Sequence, residues 1–176
     1  MPVAAATTST RYVVVDSPIG PLTLVRDDGG LTGLYYLGHW TRPDRNSFGP
    51  HVDSDQDHGF DEAIAQLTEY FAGERRDFDL PLNPRGSVTA RKIWQLLANI
   101  PYGQTTTYGG LADKIGGVSP RDVGRLVGDN PLSILIPCHR VLGSTGKLTG
   151  YAGGLSRKRY LLQLEQAIPP SPQGLW

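Results

Sequence analysis

A strand-rich start and a helix-rich end, separated by one long polar stretch, limit this chain to a fold in which sheet and helices are segregated. The run "RYVVVDSPIGPLTLVRDDGGLTGLYYL", residues 11–37, is rich in β-branched and aromatic residues and is broken by Ser-Pro, Gly-Pro and Asp-Asp-Gly-Gly. That punctuation marks a small antiparallel meander. Residues 38–59 are polar and rich in His, Asp, Pro and Gly, and read as a loop. "FDEAIAQLTEYFAG" then sets Ile64, Leu67, Tyr70 and Phe71 on one helical stripe, with Gly73 as its stop. "DFDLPL" reads as a further strand, leading into a linker around Pro84 to Ser87.

From about residue 88 the spacing is helical. "TARKIWQLLANIP" puts Ala90, Ile93, Trp94 and Leu97 on one face and ends at Pro101. "TTTYGGLADKIGG" is a short helix closed by Gly116 and Gly117. "SPRDVGRLVGD" starts with Ser119 as N-cap, Pro120 at the first helical position and Asp122 three residues after the cap. Two short helices joined by a Gly-containing turn outline a helix-turn-helix, or a plain helical hairpin. Arg121 tilts the choice, because a cation at a helix N-terminus opposes the macrodipole and needs a reason to be there. The expected fold is therefore α+β, with a small N-terminal sheet-plus-helix subdomain and a mainly helical C-terminal domain holding a helix-turn-helix. The boundaries fall at residues 1–10 (tail), 11–85, 86–168 and 169–176 (tail).

No apolar run approaches the roughly 20 residues of a membrane span. "MPVAAATTSTR" lacks the charged start and apolar core of a secretory signal. One cysteine among 176 residues forms no internal disulfide, which suits a reducing, cytoplasmic setting. The net charge is zero, but residues 1–85 hold 7 Lys+Arg against 13 Asp+Glu and residues 86–176 hold 10 against 4. The halves carry −6 and +6, so any polyanion meets its attraction on the second half. His39, His51 and His58 lack metal-ligand spacing and cysteine partners, and no metal site or cofactor is expected.

The lone thiol, Cys138, sits in "SILIPCHRVLG" with an imidazole and a guanidinium directly behind it. A free thiol near pKa 8.5 is only a few per cent ionised at neutral pH, so a nucleophilic cysteine needs such help. The segments "IPYGQTTTYGGLA", "RDVGRLVGDNP", "ILIPCHRVLGSTGKLTGYAGG" and "RKRYLLQLE" resemble, in order and spacing, the O6-alkylguanine-DNA alkyltransferases. The likeness is close over residues 88–167 and loose over 11–85.

That resemblance implies a protein that flips O6-alkylguanine (and O4-alkylthymine) out of duplex DNA and moves the alkyl group to its own cysteine. It implies no cofactor and no membrane, and it extends to cooperative assembly on DNA. Cys138 would be the acceptor, and His139, oriented by Glu165, would take its proton through a water. Glu165 follows Leu161 and Leu162 by four and three residues, which puts a carboxylate on a core-facing stripe in need of a partner. Tyr108 would hydrogen-bond the leaving guanine, and Asn130 would tie the recognition helix to the active-site loop. Arg121 would fill the vacated space in the duplex, with Tyr108, Gly124, Arg125, Thr89 and Ser144 also meeting DNA. Pro137, Val141, Tyr151, Ala152 and Gly153 would wall the base pocket, the glycines leaving room for groups larger than methyl.

The chain departs from the family pattern at Asp122, Arg125 and Leu126, where small residues usually follow the arginine, and lacks the aromatic-Gln pair before Trp94. With one cysteine in the chain, the metal-binding, transcription-regulating variants of the family are not expected. Two other readings compete: an alkyltransferase-like lesion binder, a class that lacks the cysteine, and a thiol hydrolase using Cys-His-Glu.

Overall fold

The computed structural model describes residues 10–170, so the two expected tails lie almost wholly outside the described residues. Strands β1 (Arg11–Val15), β2 (Leu22–Asp27) and β3 (Gly30–Tyr36) form an antiparallel sheet in sequence order. Val13 pairs with Leu24 and Leu24 with Leu34. Because side chains alternate along a strand, Val13, Leu22, Leu24, Leu34 and Tyr36 share one face and Tyr12, Thr23, Val25 and Tyr35 the other.

The first face packs on helix α1 (Asp61–Phe71), which turns Leu67 and Tyr70 inward. The second explains the polar loop. Residues 38–59 bring Phe48 back to stack on Tyr35 at 5.2 Å and to meet Tyr12 edge-on at 5.8 Å. That loop also contains two 3-10 turns, Arg45–Phe48 and His58–Phe60, each capped by the aspartate before it. Two-sided cover is why β2 buries five of its six residues.

The segment 77–82 is not a strand. It makes one isolated bridge, Leu31 to Leu82, with Leu31 N–H donating to Pro81 O and Asn83 N–H to Leu31 O. Pro81 and Pro84 have no N–H to continue a ladder, so the pairing stops after one residue.

Helix α2 (Val88–Ala98) buries Ala90, Ile93, Trp94 and Leu97, the four residues expected from spacing. Its N-cap is Ser87, whose hydroxyl accepts from Ala90 N–H at 3.1 Å. Helices α3 (Tyr108–Ile115) and α4 (Pro120–Gly128) form the helix-turn-helix. Gly116 and Gly117 stand at φ 70° and 72° between them, a conformation that favours glycine. Ser119 caps α4 as expected, accepting from Asp122 N–H at 3.1 Å. Trp94 Nε1–H donates to Leu126 O at 2.9 Å and fastens α4 onto α2.

Two-residue strands β4 (Thr106–Thr107) and β5 (Val141–Leu142) pair in parallel and seat the cysteine-bearing segment beside the start of α3. Helix α5 (Leu155–Leu164) closes the domain. One apolar core runs through both halves, and Leu34 N–H donates to Pro131 O at 2.8 Å across the join. No helix among the described residues is long and apolar enough to cross a membrane.

Candidate active site

The segment between α4 and β5 is held by Asn130. This buried side chain donates to Ile136 O at 2.8 Å and accepts from Leu132 N–H at 3.0 Å. Within that clamp Ile134 is forced to φ 71°. A left-handed backbone at a β-branched residue costs on the order of 1–3 kcal/mol and persists only where the surroundings fix it. Next come Pro137 and a 3-10 turn, Cys138–Arg140, whose three side chains are all buried.

Cys138 is 6% exposed. Burial pushes its pKa up, against the opposing pull of the Asn130 amide and the Lys158 charge. The resting group is a neutral thiol and needs a base. His139 is fully buried with Nε2 2.8 Å from Glu165 Oε2. Burial depresses its pKa more than the carboxylate restores it, so the ring is neutral at pH 7. With the Nε2 hydrogen on Glu165, Nδ1 carries the free lone pair, and Nδ1 has no hydrogen-bond partner among the described residues.

Burial alone would raise the Glu165 pKa, but His139 and Arg140 outweigh it and hold it at about 2. Arg140 is the true counter-ion: Nε lies 2.8 Å from Oε1 and Nη2 2.9 Å from Oε2, a bidentate pair. Its third nitrogen donates to Ile100 O at 2.6 Å. Tyr70 hydroxyl donates to Glu165 Oε2 at 2.6 Å. Because Glu165 caps the C-terminus of α5, where a negative charge opposes the helix dipole, these donors also offset that misplacement.

Lys158 is completely buried, with Nζ 2.6 Å from Val141 O and 2.7 Å from Thr149 O. Burial lowers its pKa to about 8. It staples β5 to the loop that leads into Tyr151.

That segment forms one side of a cleft of about 560 Å³. Tyr108, Gly124, Arg125, Gly128 and Asp129 form the helix-turn-helix side, Thr149 to Ala152 the opposite side, and Trp40 the mouth. Tyr108 hydroxyl donates to Thr149 O at 3.3 Å. Burial first, and then the proximity of Cys138, raise the pKa of Tyr108, which keeps its proton. Burial first, then Tyr36 and Cys138, raise the pKa of Tyr151 as well. A larger groove beside β1, lined by Val13, His51, Asp53 and Asp57, contains no nucleophile of this kind.

Of the residues singled out in the sequence, the structure joins His139 to Glu165, sets Asn130 against the segment that carries Cys138, and lines the cleft with Tyr108, Tyr151 and Ala152. Pro137 and Val141 are buried and do not line the cleft, and the Val141 carbonyl is engaged by Lys158. Gly153 does not leave open room: a Cβ there would stand 2.5 Å from the Tyr36 ring. Arg121 and Arg125 are exposed on α4, and Gly124 lies against Tyr108. Thr89 and Ser144 are exposed at the start of α2 and in the turn after β5.

Lys158, Arg140, Tyr70 and Tyr36 were missed. Lys158 had a signal, since it stands three, four and seven residues before Leu161, Leu162 and Glu165 on one helical stripe.

Comparison with known proteins places this arrangement. Two family models match, the 6-O-methylguanine DNA methyltransferase ribonuclease-like domain over residues 10–84 and its DNA binding domain over residues 89–167. The methylated-DNA–protein-cysteine methyltransferase of Mycobacterium tuberculosis is 45% identical over 162 residues, 92% of this chain and 95% of the relative. That of Methanosarcina acetivorans is 42% identical over 88% of this chain and 97% of the relative. The crystal structure of Mycobacterium tuberculosis OGT in complex with DNA matches with a TM-score of 0.78 at 46% identity, covering 89% of this chain and 93% of that one. The chain belongs to the 6-O-methylguanine DNA methyltransferase family, the DNA-repair proteins that transfer a methyl group to a cysteine.

Proposed function

We propose that this protein extrudes O6-alkylguanine from duplex DNA and moves the alkyl group irreversibly onto Cys138, each molecule acting once. The observation that carries the reading is the buried relay of His139, Glu165 and Arg140 next to Cys138, with Tyr108 and Tyr151 of the helix-turn-helix cleft near enough to that thiol to feel its charge.

His139 Nδ1 takes the thiol proton through one water, and Glu165 stabilises the imidazolium that forms. The sulfur attacks the alkyl carbon, the carbon–O6 bond breaks, and the electron pair stays on guanine. Tyr108, still protonated, donates to the departing ring and so lowers the charge it must carry. Asn130 holds the loop in the strained form that presents the thiol. The product is an alkyl thioether, whose carbon–sulfur bond is far more inert to water than an acyl-enzyme, so the cysteine is not regenerated. On the DNA side, Arg121 at the start of α4 enters the space left by the base, recovering part of the few kcal/mol lost on extrusion. Arg125 and Gly124 continue the same face toward the cleft, and Thr89 and Ser144 flank it. The DNA complex of the mycobacterial relative supports this side of the reading. The same geometry admits O4-alkylthymine, and assembly along DNA is compatible with the charge split between the halves.

Mass spectrometry after exposure to methylated duplex DNA tests the proposal. One stoichiometric methyl on Cys138 is expected, with none on Cys138→Ala although that variant still binds the lesion. Regeneration of free Cys138 under native conditions, as a thiol hydrolase requires, would sink the single-use mechanism.

A further inference from the structure

Trp40 is 68% exposed, and among the described residues it is the only aromatic among the large exposed apolar side chains. It comes from the N-terminal half, just past β3, yet it lines the same cleft as Tyr108, Tyr151 and Ala152. Its position is built rather than incidental. Trp40 N–H donates to Ala152 O at 2.7 Å, which ties it to the wall that carries Tyr151. The residue before it, His39, is buried, stacks on Tyr36 at 6.0 Å, and closes a turn through its N–H to Tyr36 O at 3.2 Å. Tyr36 in turn shares a 2.6 Å hydroxyl bond with Tyr151. The end of β3 is thus clamped to the substrate wall at two points, with His39 closing the turn between them, and the indole is what the clamp presents.

At a cleft, such an indole offers a large apolar face that is stabilised when a ligand group covers it. The chemistry of the site says what does. A methyl group ends at the carbon the sulfur attacks, so nothing of it reaches the mouth. A benzyl group continues past that carbon, and its ring must lie against the cleft. We propose that Trp40 is a specificity-determining residue, an aromatic wall that receives bulky aromatic O6 substituents; this rests on the alkyl-transfer reading above. Ring against ring in offset or edge-on contact, with burial of both, favours such adducts.

The test uses the full chain and three substrates: duplexes carrying O6-methylguanine or O6-benzylguanine, and O6-benzylguanine as the free base. For Trp40→Ala the ratio of benzyl to methyl transfer rates in duplex falls about tenfold, the free-base rate falls in parallel, and Trp40→Phe recovers most of the loss. An unchanged ratio overturns the proposal. Equal losses on both duplexes with the free base unaffected also overturn it, and assign Trp40 to the DNA backbone. If the wild-type protein accepts neither adduct on Cys138, the alkyl-transfer reading itself has failed, an outcome distinct from a change in ratio.

Discussion

His139 and Glu165 have unequal duties, and substitution separates them. His139 spends its Nε2 on Glu165 and leaves Nδ1 without a partner among the described residues, so on the proposed mechanism His139→Gln should slow alkylation on the order of 10²-fold or more with little change in DNA binding. Since burial depresses the His139 pKa below 6.5, the wild-type rate should hold through pH 6.5 and fall only in more acid solution. A rate that falls already at pH 7.5 would count against His139 as the base. Glu165→Gln is a different experiment. It leaves Arg140 buried with half its partner gone, which costs about 3–5 kcal/mol, so a lower urea midpoint should accompany the slower reaction. The sequence shows Cys138, His139 and Glu165 because nucleophile and base are adjacent and the acid shares a stripe with Leu161 and Leu162. It hides Tyr70, which lies 95 residues from Glu165 and meets it only through tertiary packing.

At the scale of elements, the start of α4 and the end of α3 were legible because Ser119, Pro120, Gly116 and Gly117 act locally, whereas Ser87, read as linker, caps α2 and Thr107 caps α3. The 77–82 segment misled, since alternation predicts a strand but prolines deny it a ladder. Helix α4 yields two predictions. Ser119→Ala should lower stability by about 1 kcal/mol, read as a shift in the urea midpoint at constant slope. Arg121→Ala should slow repair of duplex DNA strongly while scarcely changing the reaction with free O6-benzylguanine, which needs no extrusion. Equal losses on both substrates would assign Arg121 to the fold instead.

Across the whole molecule the N-terminal half holds parts of the site in place, although its sequence shows no chemistry. Tyr70 reaches the acid, Tyr36 reaches Tyr151, and Leu34 pairs with Leu132. Tyr70→Phe should therefore cost about 1–2 kcal/mol of stability and reduce transfer only modestly, seen by comparing urea midpoints with single-turnover rates. His39 gives a pH signature. Burial, aided by the Arg157 charge, holds its pKa at about 4, below the ordinary 6.5. Between those values the unfolded chain binds a proton that the folded one refuses, so stability drains away as pH falls from 6.5 to 4. Denaturation of His39→Gln over that range should show a flatter pH dependence than wild type; parallel curves would place the ring in water.

Depth of burial at Cys138 has a last consequence, for endurance. On the proposed single-use mechanism the protein must keep its one thiol intact until a lesion arrives. Oxidants and electrophiles in solution select exposed thiolates, and this sulfur is neither exposed nor ionised at rest. The pocket that makes a base necessary is thus also a storage vessel, keeping the nucleophile inert toward peroxide or iodoacetamide while it waits for damaged DNA.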